Sequence, residues 1–217
     1  MTFRTVLFVS CVLLLFQQEH LNAQPTQFKA EVADLAAKPP KDKKNIVLFT
    51  GSSTIKMWTD INSYFPAYNV VNRGFGGSQM TDLLYYADEL ILLLKPSKIF
   101  IYEGDNDLAA GRTQDQILGS ADSLLNKIRT KLPSGTQVYF ISAKPSVARW
   151  GLKDKYIAFN NALKGWSGKK GVTYIDVWNP ALDAKGKVRD DIFLQDNLHM
   201  NKKGYDIWFK VLSKYLP

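Results

Sequence analysis

The sequence NIVLFTGSST, residues 45–54, joins a short apolar run to a turn of small residues. An apolar run this short and this rich in β-formers is typical of a strand that is buried on both faces of a parallel sheet. Gly51 allows the backbone to turn sharply, and the hydroxyl residues after it favour the start of a helix. We therefore interpret the stretch as a buried strand that passes directly into a helix.

The same alternation of short apolar runs and helical patterns continues to the C-terminus. Strands are predicted at 45–50, 69–72, 98–102, 137–142 and 172–177. Helices are predicted at 81–94, 113–131, 153–166 and 202–216, with a weaker one at 54–65. Strands that alternate with helical crossovers form a parallel sheet covered on both faces. The predicted fold class is therefore α/β, with a five-stranded parallel sheet in one domain.

The N-terminus has the order of a secretory signal. Arg4 precedes an apolar run at 6–16, and Ala23 offers a small residue for cleavage, so residues 1–23 are predicted to be a signal peptide. The run is far shorter than the roughly 20 residues that span a bilayer; an uncleaved anchor is the alternative. We expect an exported protein, periplasmic or secreted, without stable membrane insertion.

Residues 24–44 are interpreted as a leader that precedes the domain at 45–217. A short helix is predicted at 28–37, and Pro39 and Pro40 would stop it, since neither can donate a backbone hydrogen bond. The net charge is +8, but the basic residues are scattered in short groups, which indicates solvated surface and no nucleic-acid partner. The single cysteine, Cys11, belongs to the signal, so the mature chain has no disulfide or cysteine metal site. The sequence does not indicate the oligomeric state.

Histidine is scarce in this chain, which limits the residues that could transfer a proton near neutral pH. The chain has two, His20 and His199, and His20 lies in the predicted signal. Imidazole is the side chain best suited to proton transfer near neutral pH. Asp196 stands three residues before His199, a spacing that lets a carboxylate reach the ring in a tight turn. The alternative is a helix-capping aspartate beside a surface histidine.

Further candidate residues follow the predicted strands, where ligands bind in open α/β sheets. Ser53 ends the first strand segment and is a candidate nucleophile for His199, although it could simply cap the next helix. The Ser53 and Gly77 backbone N–H groups and the Asn106 side-chain amide are candidate donors to an oxyanion. The alternatives are ordinary turns at 74–77 and 104–107, or a phosphate loop at 74–77, which lacks the lysine of a P-loop.

Four blocks, in this order, resemble the SGNH hydrolase family, also called GDSL-like lipases and acylhydrolases. They are GSS at 51–53, NRGFGG at 72–77, GDND at 104–107 and DNLH at 196–199. The resemblance implies Ser53 as nucleophile, Gly77 and Asn106 as oxyanion donors, and Asp196 and His199 as acid and base. It also implies a flavodoxin-like three-layer sandwich, and neither a metal nor an organic cofactor. Ser52 departs from the pattern, because the family places an aspartate before the nucleophile.

The segment after the fourth predicted strand is a candidate source of substrate specificity. Lys144, Arg149 and Trp150 are expected at the mouth of a pocket, with Phe75 nearby; the alternative is a surface salt bridge and a packed indole. We expect an esterase that removes a short acyl group, acetyl in particular, from a carbohydrate. A lysophospholipase-like or thioesterase-like acylhydrolase is the alternative. An alternative from another class of function is a non-catalytic glycan-binding domain on a hydrolase scaffold. Its support is Ser52, which stands where the family has an aspartate.

Overall fold

A five-stranded, all-parallel sheet forms the centre of the computed structural model, which describes residues 25–216. The strand order is β2-β1-β3-β4-β5, so β1, the strand of the opening stretch, lies inside the sheet and all six of its residues are buried. The predicted α/β class is thus confirmed. The strands are β1 (Ile46–Gly51), β2 (Asn69–Gly74), β3 (Lys98–Tyr102), β4 (Gln137–Ile141) and β5 (Thr173–Ile175).

Helices cover both faces of the sheet. The long helix α7 follows the prediction closely, since it begins after the N-cap Thr113, whose side chain accepts a hydrogen bond from the Gln116 N–H. The helices are α1 (Lys29–Ala37), α2 (Ser53–Lys56), α3 (Ile61–Tyr64), α4 (Met80–Tyr85), α5 (Ala87–Leu90), α6 (Asp105–Ala109), α7 (Gln114–Lys131), α8 (Lys153–Lys170) and α9 (Lys202–Leu212). Short 3-10 turns lie at Thr26–Phe28, Leu92–Leu94, Trp150–Leu152, Asn179–Ala181 and Ser213–Tyr215.

Two predicted helices are broken in the structure. The weak helix at 54–65 is divided into α2 and α3, because the Asn72 side chain binds the carbonyls of Ile55 and Trp58 where α2 ends. The helix at 81–94 is divided into α4, α5 and a 3-10 turn. The division occurs at Tyr86, whose hydroxyl donates to the Pro25 carbonyl.

The core lies in two layers, one on each face of the sheet. One layer contains Leu48, Ile99 and Ile101 of the central strands, together with apolar side chains of α4, α5, α7 and α8. The other is strongly aromatic: the rings of Phe49 and Phe100 stack with centroids 4.6 Å apart, and side chains of α2, α3 and α9 cover them. Both faces of the sheet are therefore buried, which leaves the ends of the strands as the place for reactive groups.

The N-terminal helix packs on the domain. The predicted helix at 28–37 appears as α1 and ends before Pro39. Phe28 and Val32 are 6% and 2% exposed and belong to the first core layer, where the Phe28 and Phe75 rings pack edge to face. The packed unit therefore begins before Asn45. The predicted signal peptide, with Cys11 and His20, lies outside the described residues.

Candidate active site

Ser53 lies at the carboxyl end of β1, where the chain turns into α2. Gly51 has φ +124°, and a Cβ at this position would lie 2.0 Å from the Tyr102 carbonyl oxygen of β3, so only glycine fits. The Ser52 N–H donates to that oxygen at 3.1 Å. Ser53 is the first residue of α2, and its own N–H has no acceptor among the described residues. The turn therefore presents a hydroxyl and a free N–H side by side.

The turn at 196–199 holds the imidazole of His199. Asp196 Oδ2 lies 2.6 Å from His199 Nδ1, while Oδ1 accepts the backbone N–H groups of Leu198 and His199, both at 2.9 Å. Asn197, at φ 57°, supplies the left-handed residue that closes the turn. The hydrogen bond from His199, against a smaller effect of burial, lowers the pKa of Asp196 to about 2. A carboxylate anion thus faces the ring near neutral pH.

The hydroxyl and the ring meet across 146 positions of sequence. His199 Nε2 lies 2.9 Å from Ser53 Oγ, while Nδ1 of the same ring is held by Asp196. With Nδ1 protonated towards Asp196, Nε2 can accept the Ser53 proton. The three residues predicted as nucleophile, base and acid therefore lie in one continuous hydrogen-bonded chain. The His199 side chain is 23% exposed and that of Asp196 47%, so this chain is open to solvent.

The other two candidate oxyanion donors, Gly77 and Asn106, lie on two neighbouring turns. Gly77 has φ +77°, but a Cβ there would meet no atom within 4 Å, so backbone conformation rather than crowding favours glycine. Its N–H, like that of Ser53, has no acceptor among residues 25–216. Asn106 Nδ2 donates to the carbonyl of Ser78 at 2.9 Å, which ties the Asn106 turn to the Gly77 loop.

Two buried carboxyl groups, Glu103 and Asp107, brace these turns, and neither is predicted from the sequence. Asp107 accepts the N–H groups of Met80 and Gly104, and burial raises its pKa to about 6. Glu103 accepts the Ser78 hydroxyl at 2.6 Å; burial and the nearby Asp107 raise its pKa well above the usual value. The GDND motif at 104–107 predicts the turn, and it includes Asp107 and follows Glu103 directly. Acidic residues are seldom buried, so the burial of these two could not be predicted from the sequence.

Three of the four predicted specificity residues are engaged elsewhere. Phe75 is 0% exposed and packs in the first core layer, because its ring turns towards Phe28 and Tyr86. It therefore does not line a pocket mouth, contrary to the prediction. Lys144 is 2% exposed and binds Asp105 and the Leu198 carbonyl.

Arg149 is bound to Asp105 and Asn106, beside the candidate oxyanion donors. Trp150 stays partly exposed, with its ring stacked on Trp178 at 6.0 Å and Lys153 Nζ 5.9 Å from its centroid. Trp150 is thus the predicted specificity residue with ring surface left for a ligand.

The candidate site is open to solvent, since Ser53 is half-buried and the His199 side chain is 23% exposed. Five surface cavities of about 310–560 Å³ lie in the described part of the chain, and none of these five is lined by Ser53, Asp196 or His199. Within residues 25–216, no three histidine, cysteine or acidic side chains are grouped so as to hold a metal ion. In the same range, each helix is too short or too polar to span a bilayer.

Comparisons with known proteins bear on the family and the fold of this chain. The model of the GDSL-like Lipase/Acylhydrolase family matches residues 50–207. No curated protein matches the chain significantly. A structure described as a putative platelet activating factor from Streptococcus pneumonia is similar, with a TM-score of 0.76, 20% identity, and coverage of 94% of this chain and 98% of that one.

Two further solved structures share the fold. A GDSL-like lipase from Bacteroides thetaiotaomicron has a TM-score of 0.71 at 20% identity, covering 88% of this chain and 96% of that one. A catalytic mutant of an acetylxylan esterase from Geobacillus stearothermophilus has a TM-score of 0.67 at 13% identity, covering 79% and 93%. At these identities the likeness concerns the fold alone.

Proposed function

Since this chain belongs to the GDSL-like lipase/acylhydrolase family, and is thereby a hydrolase of esters, we propose that it acts as a serine esterase through Ser53, His199 and Asp196. The observation that carries the proposal is the single imidazole that bridges Ser53 Oγ at 2.9 Å and Asp196 Oδ2 at 2.6 Å. A nucleophile, a base and an orienting carboxylate in this arrangement are the groups that acyl transfer requires.

The hydrogen bonds of His199 indicate how a proton moves between Ser53 and the substrate. Ser53 Oγ attacks the ester carbonyl while His199 Nε2 takes its proton, and the Asp196 carboxylate stabilises the resulting imidazolium. The negative charge on the carbonyl oxygen is met by the N–H groups of Ser53 and Gly77 and by the Asn106 amide. His199 then protonates the leaving alcohol, and water releases the acid from Ser53 by the same steps in reverse order.

The first experiment measures turnover of p-nitrophenyl acetate. We expect Ser53→Ala and His199→Ala each to lower kcat by at least about 10⁴-fold. Ser123→Ala, a serine exposed on α7, is the matched control and should keep wild-type kcat. A Ser53→Ala protein with wild-type turnover would refute the nucleophile assignment. A fluorophosphonate probe should label Ser53; absence of labelling would favour the non-catalytic glycan-binding alternative.

We further propose that the acyl group is short and the alcohol is a carbohydrate. The site is open to solvent, with Ser53 half-buried and the His199 side chain 23% exposed, and this favours acetyl over a long chain. The partly exposed Trp150 ring offers a flat apolar face of the kind on which a sugar packs. The fold of an acetylxylan esterase is similar. A panel of esters from acetyl to decanoyl tests this: higher kcat/KM on decanoyl esters would favour the lysophospholipase-like alternative.

Export is the remaining part of the proposal. The order of charged, apolar and small residues in 1–23 supports a signal peptide cleaved after Ala23. Mass spectrometry of the protein recovered from cells expressing the full chain should give a mature N-terminus at Gln24. Recovery of a chain that retains residues 1–23 would overturn the proposed cleavage.

A further inference from the structure

A buried carboxylate beside the candidate oxyanion donors collects four hydrogen bonds. Asp105 Oδ2 accepts the Tyr102 hydroxyl at 2.9 Å and Lys144 Nζ at 3.3 Å. Its Oδ1 accepts Arg149 Nη1 at 2.6 Å and the Tyr156 hydroxyl at 2.5 Å. Burial opposes its ionisation, but the two cations hold the pKa down, at about 2. Asp105 is therefore a fixed anion, and every group around it is held in place.

Arg149 reaches from this anion to the next residue of the turn. Its Nη1 also binds the Asp105 carbonyl at 3.0 Å, and its Nη2 donates to Asn106 Oδ1 at 3.0 Å. A guanidinium carries several donors in one rigid plane and no acceptor. Whichever atom of the Asn106 amide faces Nη2 must accordingly be the oxygen.

The same amide is constrained from its other end. Asn106 Nδ2 donates one hydrogen to the Ser78 carbonyl at 2.9 Å, which leaves its second hydrogen without a protein acceptor in residues 25–216. A flipped amide would present oxygen where an oxyanion forms, and the two lone pairs would repel that charge. The positive charge next to Oδ1 also polarises the amide, which makes the free N–H a better donor.

We propose that Arg149, anchored on buried Asp105, is a positioning residue that fixes and polarises the Asn106 amide as an oxyanion donor. This role replaces the substrate contact that the sequence suggested for Arg149, and it rests on the proposed function of the site. It also distinguishes arginine from lysine here. A lysine ammonium can neutralise Asp105, but its three donors radiate from one nitrogen, so it cannot reproduce the two separate, coplanar guanidinium nitrogens that bind Asp105 and Asn106.

A double-mutant cycle on p-nitrophenyl acetate tests the coupling of Arg149 to Asn106. Asn106→Ala removes one oxyanion donor and should lower kcat about 10²-fold. Arg149→Met should lower kcat about tenfold with KM changed by less than about twofold, because substrate binding is untouched while donor geometry is lost. In the Asn106→Ala background, Arg149→Met should cost less than about a further twofold, since it acts through a side chain that is gone.

Two companion variants make the cycle decisive. Arg149→Lys keeps the charge at Asp105 and should recover only part of the loss seen in Arg149→Met. Arg129→Met, an exposed arginine of α7 bound to the Lys170 carbonyl, is the matched control and should keep wild-type kcat. Folding is checked by circular dichroism. Asp105 retains Lys144 as a counter-charge in each Arg149 variant, and Arg149→Lys carries the test if Arg149→Met does not fold.

The outcomes separate this inference from the proposed function. Multiplicative losses in the double variant, full activity of Arg149→Lys, or a rise in KM at constant kcat would each overturn the positioning role. In all three cases Ser53→Ala would still be inactive, and the esterase proposal would stand. Wild-type turnover by Ser53→Ala would instead overturn the proposed function, and with it the premise of this inference.

Discussion

Asp107 makes the stability of this protein depend on pH in an unusual direction. Its carboxyl is almost wholly buried, at 2% exposure, and accepts the N–H groups of Met80 and Gly104. Burial is the largest effect and raises its pKa from 3.8 to about 6, although these hydrogen bonds oppose it. Between these two pH values the folded chain holds a proton that the unfolded chain has released. The free energy of unfolding therefore decreases as pH rises from about 4 to about 6.

The size of this effect follows from the two pKa values. One pH unit of separation corresponds to 1.36 kcal/mol. The interval from 3.8 to about 6 is therefore worth about 3 kcal/mol at most, all of it lost by about pH 7. Asp107→Asn cannot ionise, and its amide oxygen can still accept the Met80 N–H. We expect the stability of the variant relative to wild type to rise by up to about 3 kcal/mol between pH 4 and pH 7.

Urea unfolding followed by circular dichroism at half-unit steps of pH measures the difference. Asp154→Asn, an exposed aspartate in the first turn of α8, is the matched control for loss of one negative charge. The difference between wild type and Asp107→Asn should change across pH 4–7, and the Asp154→Asn difference should change much less. A flat Asp107→Asn difference, or one that falls with pH, would refute burial as the dominant influence on this carboxyl.

Three further predictions concern the turn, the N-terminal helix and the buried lysine. Gly51→Ala should destabilise the fold by at least about 3 kcal/mol, because Gly51 has a positive φ and a Cβ there would lie 2.0 Å from a backbone oxygen. Gly111 also has a positive φ but no neighbour within 4 Å, so Gly111→Ala is the control and should cost much less; thermal unfolding measures both. Phe28→Ala should cost about 3–5 kcal/mol in urea unfolding, and a value under about 1 kcal/mol would show that α1 is not part of the cooperative unit. Lys144→Met should lower kcat about tenfold on p-nitrophenyl acetate, because its bond to the Leu198 carbonyl steadies the His199 turn; unchanged kcat would contradict that support.

The sheet and the main helices could be predicted because their signals are local. The strand predicted at 98–102 coincides with β3, and the N-cap Thr113 starts α7 where the sequence places it. Four apolar runs of similar length are also found as strands, with ends shifted by one or two residues. Their order in the sheet, β2-β1-β3-β4-β5, is set by crossover packing and could not be derived from the runs alone.

The candidate site could be predicted in part, because its residues follow predicted strands and ligands bind at the strand ends of open α/β sheets. Ser53, Asn106 and His199 all lie at the ends of strands or in the turn before α9, and the structure brings Ser53 and His199 to 2.9 Å. The roles of Phe75 and Arg149 were not predictable, because each depends on which neighbour its side chain turns to. The sequence predicts both at a pocket mouth, but Phe75 fills the core and Arg149 binds Asp105 and Asn106.

Three acidic residues within five positions acquire three different environments, and together these shape the charge around the candidate oxyanion donors. Asp105, between two cations, has its pKa at about 2, while burial raises that of Asp107 to about 6 and that of Glu103 well above its usual value. Asp105, which is fully ionised near pH 5, thus has its single negative charge exceeded by the two positive charges of Lys144 and Arg149. Full ionisation of the other two would add negative charge behind the turn that presents Asn106, and would oppose the anion expected there. Burial therefore favours the neutral form of Glu103, and of Asp107 below about pH 6, and so limits the negative charge behind the turn that presents Asn106.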